Sequence, residues 1–81
     1  HLGIDSSPDI IKLDIEGAEY LALKGAKNTL LSKRPIIFME IHSMQSMFEV
    51  ITFLTSLSYS SRIIHVEDNG ICYIEAQSQK L

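Results

Sequence analysis

Two isoleucine-rich runs of strand length limit what this chain can fold into. The first is Asp9-Ile10-Ile11-Lys12-Leu13-Asp14-Ile15, entered through the turn signal Ser6-Ser7-Pro8-Asp9, and the second is Pro35-Ile36-Ile37-Phe38-Met39-Glu40-Ile41-His42. Their near-continuous apolarity predicts strands buried on both faces. Proline is compatible with the second because it stands at the first position. Between them Glu16-Gly17 breaks the run, and apolar or small residues then recur at helical spacing from Ala18 to Ser32: Ala18, Leu21, Ala22, Gly25, Ala26 and Leu30. Lys33 and Arg34 suit the negative end of that helix, and Pro35 stops it. Glycine inside a helix costs about 1 kcal/mol relative to alanine, so Gly25 predicts close packing against the sheet. About twenty residues of turn and helix are enough for a parallel crossover, and the unit reads β-α-β.

A second helix is predicted from Met47. Ser46-Met47-Phe48-Glu49 has capping-box spacing, and Phe48, Ile51, Phe53, Leu54 and Leu57 supply an apolar face that ends near Ser58. Arg62 to Glu67 and Ile71 to Ala76 are β-rich runs joined by Asp68-Asn69-Gly70, a hairpin signal. The order is therefore β-α-β-α-β-β. It predicts an α/β fold whose mostly parallel sheet closes with a terminal antiparallel hairpin.

At 81 residues the chain is one domain at most. A domain of this size buries only roughly 60–65% of the surface its unfolded chain exposes, so a partner segment or self-association is expected to help it. An apolar fraction of 46% and a charged fraction of 21% are those of a globular protein. The net charge of −3, with no lysine or arginine cluster, argues against nucleic acid as a partner. No apolar run approaches the ~20 residues of a membrane helix. The single Cys72 has no internal disulfide partner, which points to a reducing, cytoplasmic setting. No methionine and no signal segment opens the chain, which reads as a fragment of a longer protein.

Ligands of open parallel sheets bind beyond the carboxyl ends of the strands. Asp14 and Glu16 lie two apart at the end of the first strand, and Glu40 and His42 repeat that spacing at the end of the second. If the strands are neighbours, three carboxylates and one imidazole converge, a set able to hold a general base or a divalent cation. Each residue also has a purely structural reading. Asp14 and Glu16 can interact with the positive end of the following helix, Glu40 can pair with a cation, and His42 can be a hydrogen-bonded strand-end residue. His65 and Cys72 read as structural. The chain has no G-x-G-x-x-G or Walker A loop, and no zinc-ligand spacing.

Ile10-Ile11-Lys12-Leu13-Asp14-Ile15-Glu16-Gly17-Ala18-Glu19, then Leu23-Lys24-Gly25-Ala26, Arg34-Pro35 and Glu40-Ile41-His42, resemble the FkbM family of S-adenosylmethionine-dependent methyltransferases. Leu2-Gly3-Ile4-Asp5 resembles the family as well, and the resemblance covers about residues 2–76. It implies a partial Rossmann-like methyltransferase sheet, with residues 1–81 as the C-terminal half of the domain and the last strand inserted antiparallel. It also implies that Asp14 and Glu16 lie at the cofactor and substrate cleft, with Asp14 toward the cofactor and Glu40 and His42 across from them. The implied reaction is methyl transfer to an oxygen of a sugar or other small molecule. In that reading His42 or Glu16 draws the hydroxyl proton, and a divalent cation at Asp14 and Glu16 can assist, although no residue is assigned as a dedicated metal ligand. Two departures stand out. Ser58 replaces a glycine common in the family, and the glycine-rich loop that cradles S-adenosylmethionine is absent from these residues.

Two other classes fit parts of the chain. Pro8-Asp9-Ile10-Ile11-Lys12-Leu13-Asp14 resembles a receiver-like strand ending in a phosphoacceptor aspartate, though without the Met-Pro pair expected soon after it. A non-catalytic fragment that self-associates through an open sheet edge is the third reading.

Overall fold

In the computed structural model residues 10–16 and 19–79 are described. The Leu2–Asp5 and Ser6–Asp9 motifs, Gly17, Ala18 and the Glu19 side chain lie outside them. The elements are β1 (Ile10–Ile15), α1 (Glu19–Gly25), α2 (Lys27–Lys33), β2 (Ile36–Ile41), α3 (Met44–Ser56), β3 (Tyr59–Val66) and β4 (Cys72–Ser78).

Both isoleucine runs form strands, and they pair in parallel with Ile10 opposite Ile36 and Ile15 opposite Ile41. The sheet order is β1-β2-β4-β3. The last strand thus inserts between β2 and β3, antiparallel to both. The Asn-Gly hairpin forms as expected: Gly70 takes φ 92°, in the left-handed region that glycine tolerates. Its N–H donates to the Glu67 carbonyl at 2.9 Å, and the Glu67 N–H donates to the Ile71 carbonyl at 2.8 Å.

The expectation of strands buried on both faces does not hold. Burial alternates along β2, and β1 is fully buried only at Ile15. Ile15, Ile37, Met39, Ile41, Ile74 and Ala76 point into one core with Leu23, Leu30, Val50 and Leu54 from the three helices. All the helical apolar side chains in that core meet one face of the sheet. The other face, which carries Lys12, Asp14, Phe38, Glu40 and Tyr73, is left partly open.

The first predicted helix is two. Ala26 lies between α1 and α2, and its N–H reaches the Leu23 carbonyl three residues back at 3.0 Å, a tightened turn that ends α1. Gly25 is exposed, and a Cβ built on it would meet nothing within 4 Å, so it is not the close-packing glycine that the sequence suggested. Leu21 is exposed, and Leu23 takes the buried position in its place. Helix α3 starts earlier than predicted because Ser43, not Ser46, is its cap: the Ser43 hydroxyl accepts the Ser46 N–H at 3.0 Å. Phe48 is 73% exposed, outside the stripe of Val50 and Leu54.

Beyond α3, Ser58 occupies the left-handed region at φ 66°, the conformation for which a glycine would serve. Arg34 braces this corner. Itself at φ 52° as the cap of α2, it donates from Nη2 to the Leu57 carbonyl at 2.8 Å and from Nε to Ser78 Oγ at 2.7 Å. Its guanidinium lies 5.0 Å from the centre of the Tyr59 ring, whose hydroxyl donates to the Pro35 carbonyl at 2.6 Å.

Candidate active site

Parallel pairing in this register sets Asp14 directly opposite Glu40. Side chains alternate along a strand, so with Ile15 and Ile41 turned into the core, Asp14 and Glu40 share the open face. His42 follows two residues after Glu40, and its N–H donates to the Ile15 carbonyl at 3.2 Å, extending the ladder one step past the strand ends. The ring is thereby carried back over both carboxylates.

His42 Nε2 lies 2.9 Å from Asp14 Oδ1 and 3.0 Å from Glu40 Oε2. Ionised carboxylates only accept hydrogen bonds, so this geometry places the ring proton on Nε2, shared between two acceptors. Nδ1, which has no partner among the described residues, is then the basic nitrogen of the neutral ring. The His42 side chain is 29% exposed, Glu40 35% and Asp14 57%, so the group is open to a ligand from the solvent side. One donor atom from each of the three residues falls within 4.8 Å of the others, a spacing that also suits a metal ion. Glu16, exposed directly after β1, is not a member of this trio. Of the four residues singled out from sequence, the fold therefore gathers Asp14, Glu40 and His42.

Tyr73 escaped the sequence reading. The antiparallel register sets it opposite Glu40 on β4, and His65 of β3 lies opposite Tyr73 in turn. Asp14, Glu40, Tyr73 and His65 thus form a row across all four strands. Partial burial raises the proton affinity of the Tyr73 phenol, and the negative charges of Glu40, Glu67 and Asp14 raise it further. The phenol stays protonated and able to donate at neutral pH. His65 sits 5.9 Å from the Tyr73 ring and pairs with Glu67 at 3.1 Å. Only the pairing of β4 with β2 could have revealed Tyr73, and no local motif encodes that pairing.

The comparisons with known proteins agree with this architecture. The crystal structure of methyltransferase FkbM from Methylobacillus flagellatus KT superposes with a TM-score of 0.74 at 27% identity, covering 90% of this chain and 20% of that one. The chain therefore spans about a fifth of the length of that relative. No curated protein matches. Residues 1–61 match the family described as the methyltransferase FkbM domain. That stretch includes both parallel strands and all three residues of the carboxylate–imidazole group, and the chain belongs to the methyltransferase FkbM family.

Proposed function

We propose that this chain carries the acid–base side of an S-adenosylmethionine-dependent O-methyltransferase site, acting on a hydroxyl of a small molecule or sugar. The observation that carries the reading is the His42 imidazole held by two carboxylates at the paired carboxyl ends of β1 and β2, in a member of a methyltransferase family. The donor set suits the cofactor, since Asp14 and Glu40 offer negative charge to its cationic sulfonium and ammonium groups. Asp14, the more exposed of the two, is the residue that would face it. When bound, S-adenosylmethionine supplies an electrophilic methyl group. This chain orients the acceptor hydroxyl and removes its proton. His42 Nδ1 would take the proton of the acceptor hydroxyl as that oxygen accepts the methyl group. Asp14 and Glu40 hold the Nε2–H, fixing the tautomer that leaves Nδ1 free, and their charges face the positive charge the ring gains. Residues 1–81 span a fifth of the structural relative, and we read them as the C-terminal half of a larger domain on the resemblance of their motifs alone.

A second reading has the same three donors binding a divalent cation that lowers the hydroxyl's pKa. It is favoured by their mutual spacing, and that spacing selects Asp14, Glu40 and His42, not Asp14 with Glu16. One experiment on the full-length protein separates the two: transfer of labelled methyl from S-adenosylmethionine to hydroxyl acceptors, with and without EDTA. A base at His42 predicts a loss of about 10²–10⁴-fold in His42→Ala and indifference to EDTA. A metal mechanism predicts that EDTA abolishes transfer and that Mn²⁺ restores it. Undiminished transfer in the Asp14→Ala, His42→Ala double variant would remove both.

A further inference from the structure

The turn that joins β3 to β4 places an asparagine before a glycine, a pair open to slow reaction of the backbone with a side chain because glycine leaves the following nitrogen uncrowded. The chain has two asparagines, and they stand in opposite settings. Asn28 lies inside α2, followed by the β-branched Thr29, whose stiff side chain crowds the amide between them. Asn69 lies at the exposed tip of the hairpin, in a turn closed by the Gly70 N–H on the Glu67 carbonyl at 2.9 Å. Its side-chain oxygen accepts the Ile71 N–H at 3.1 Å, which draws electrons away from Cγ, while its Nδ2 donates to nothing among the described residues. A Cβ built on Gly70 would meet nothing within 4 Å, so the approach to its nitrogen is open. What restrains that nitrogen is its own bond to Glu67.

We propose that Asn69 is a modification site, at which water slowly converts the asparagine to isoaspartate at a rate set by opening of the turn. Released from Glu67, the Gly70 nitrogen gives its proton to water and bonds to Asn69 Cγ. The Cγ–Nδ2 bond breaks and ammonia leaves, which closes a succinimide. Water then adds to one of its two carbonyls. Attack at Cγ yields aspartate, and attack at the main-chain carbon yields isoaspartate, in which the backbone runs through the former side chain. The sum is one water taken up and one ammonia lost. Opening is local, because the turn is exposed and its backbone bonds are those of Glu67 with Gly70 and Ile71. The consequence reaches further. An extra methylene between Asn69 Cα and the Gly70 nitrogen lengthens a turn whose length sets the pairing of Val66 with Cys72 and of His65 with Tyr73. A new negative charge also joins Glu67 and Asp68. Isoaspartate therefore unzips the first rungs of the strand that sets Tyr73 opposite Glu40.

The test ages the full-length protein in mildly alkaline buffer, folded and in urea. The tryptic peptide Ile63–Lys80 is followed by mass and by chromatography that separates aspartate from isoaspartate. The folded protein should gain the mass of an amide turned to an acid at Asn69 and not at Asn28, with isoaspartate as the main product. Urea should hasten the change about tenfold or more by freeing the Gly70 nitrogen, and Glu67→Pro, which deletes one donor of the turn, should hasten it in the folded protein. No conversion of the folded protein while the urea sample converts in full overturns the site. Equal rates in the two overturn control by the turn, and aspartate as the main product overturns the lengthened backbone. Amide hydrogen exchange reads the consequence. The purified isoaspartyl form should exchange faster from Cys72 to Ile74, whereas Asn69→Asp, which adds the charge without the methylene, should match the parent. Unchanged exchange in the isoaspartyl form, or an equal rise in Asn69→Asp, overturns the unzipping.

Discussion

Glu75 shows how much one side chain can depend on its neighbours. It is buried in the sheet, where Arg62 Nη2 lies 2.6 Å from its Oε1 and Gln77 Nε2 donates to its Oε2 at 3.1 Å. The Gln77 amide and then the Arg62 guanidinium hold the Glu75 carboxyl below its ordinary value of 4.5, against the opposing effect of burial. A carboxyl depressed in the folded state adds stability that is complete above the unfolded value and is lost as pH falls through the folded one. Urea midpoints should therefore fall between pH 5 and pH 3, and Glu75→Gln should show a smaller fall over the same range. Ser58 makes a second prediction at this scale. A non-glycine residue in the left-handed region costs about 1–2 kcal/mol, part of which glycine gives back through its freedom in the unfolded chain. Ser58→Gly should stabilise the fold by roughly 0.5–1 kcal/mol, measured as a shift in urea midpoint at constant slope.

At the scale of elements, the break between α1 and α2 is open to repair. The site of Gly25 has room for a methyl group and no left-handed φ, so Gly25→Ala should add roughly 0.4–1 kcal/mol, and an unchanged or lowered midpoint would refute it. Elements whose signal is local were legible in the sequence. The two isoleucine runs gave β1 and β2, and Asn69-Gly70 gave the hairpin, because strand apolarity and turn chemistry are written in neighbouring residues. Boundaries set by competition between similar residues were not. Ser43 and Ser46 are both plausible caps, and the choice depends on which hydroxyl the N–H of α3 can reach. The same limit hid the exposure of Phe48 and Leu21, since the face a helix buries is decided by what it packs on. Asp14, Glu40 and His42 were legible because period-two spacing on two parallel strands suffices to bring them together. Tyr73 was not, because its place beside Glu40 depends on strand order.

For the whole molecule, Arg34 is the side chain with the widest reach. It joins the end of α2 to the end of α3 through Leu57 and to the end of β4 through Ser78, and its guanidinium lies over Tyr59 at the start of β3. Arg34→Met keeps the length of the side chain and removes the donors to the Leu57 carbonyl and to Ser78 Oγ. It should cost about 2–3 kcal/mol, read by chemical denaturation, whereas Arg34→Lys should recover only part because it lacks the planar fork. A loss under about 0.5 kcal/mol would show that the corner is held by packing alone. The one-sided sheet is also a property of this scale: apolar runs announced buried strands, but nothing in them told that the helical side chains of the core would gather on a single face.

The position of β4 has a consequence for how the chain assembles. The second strand of the hairpin lies in the interior of this sheet, so β3 has no neighbour to zip onto until the hairpin turn and the residues beyond it have left the ribosome. Of this sheet, a nascent chain halted before Cys72 holds the β1–β2 pair, with the row from Asp14 to His65 cut in two, and the four residues of the row come together only as β4 arrives.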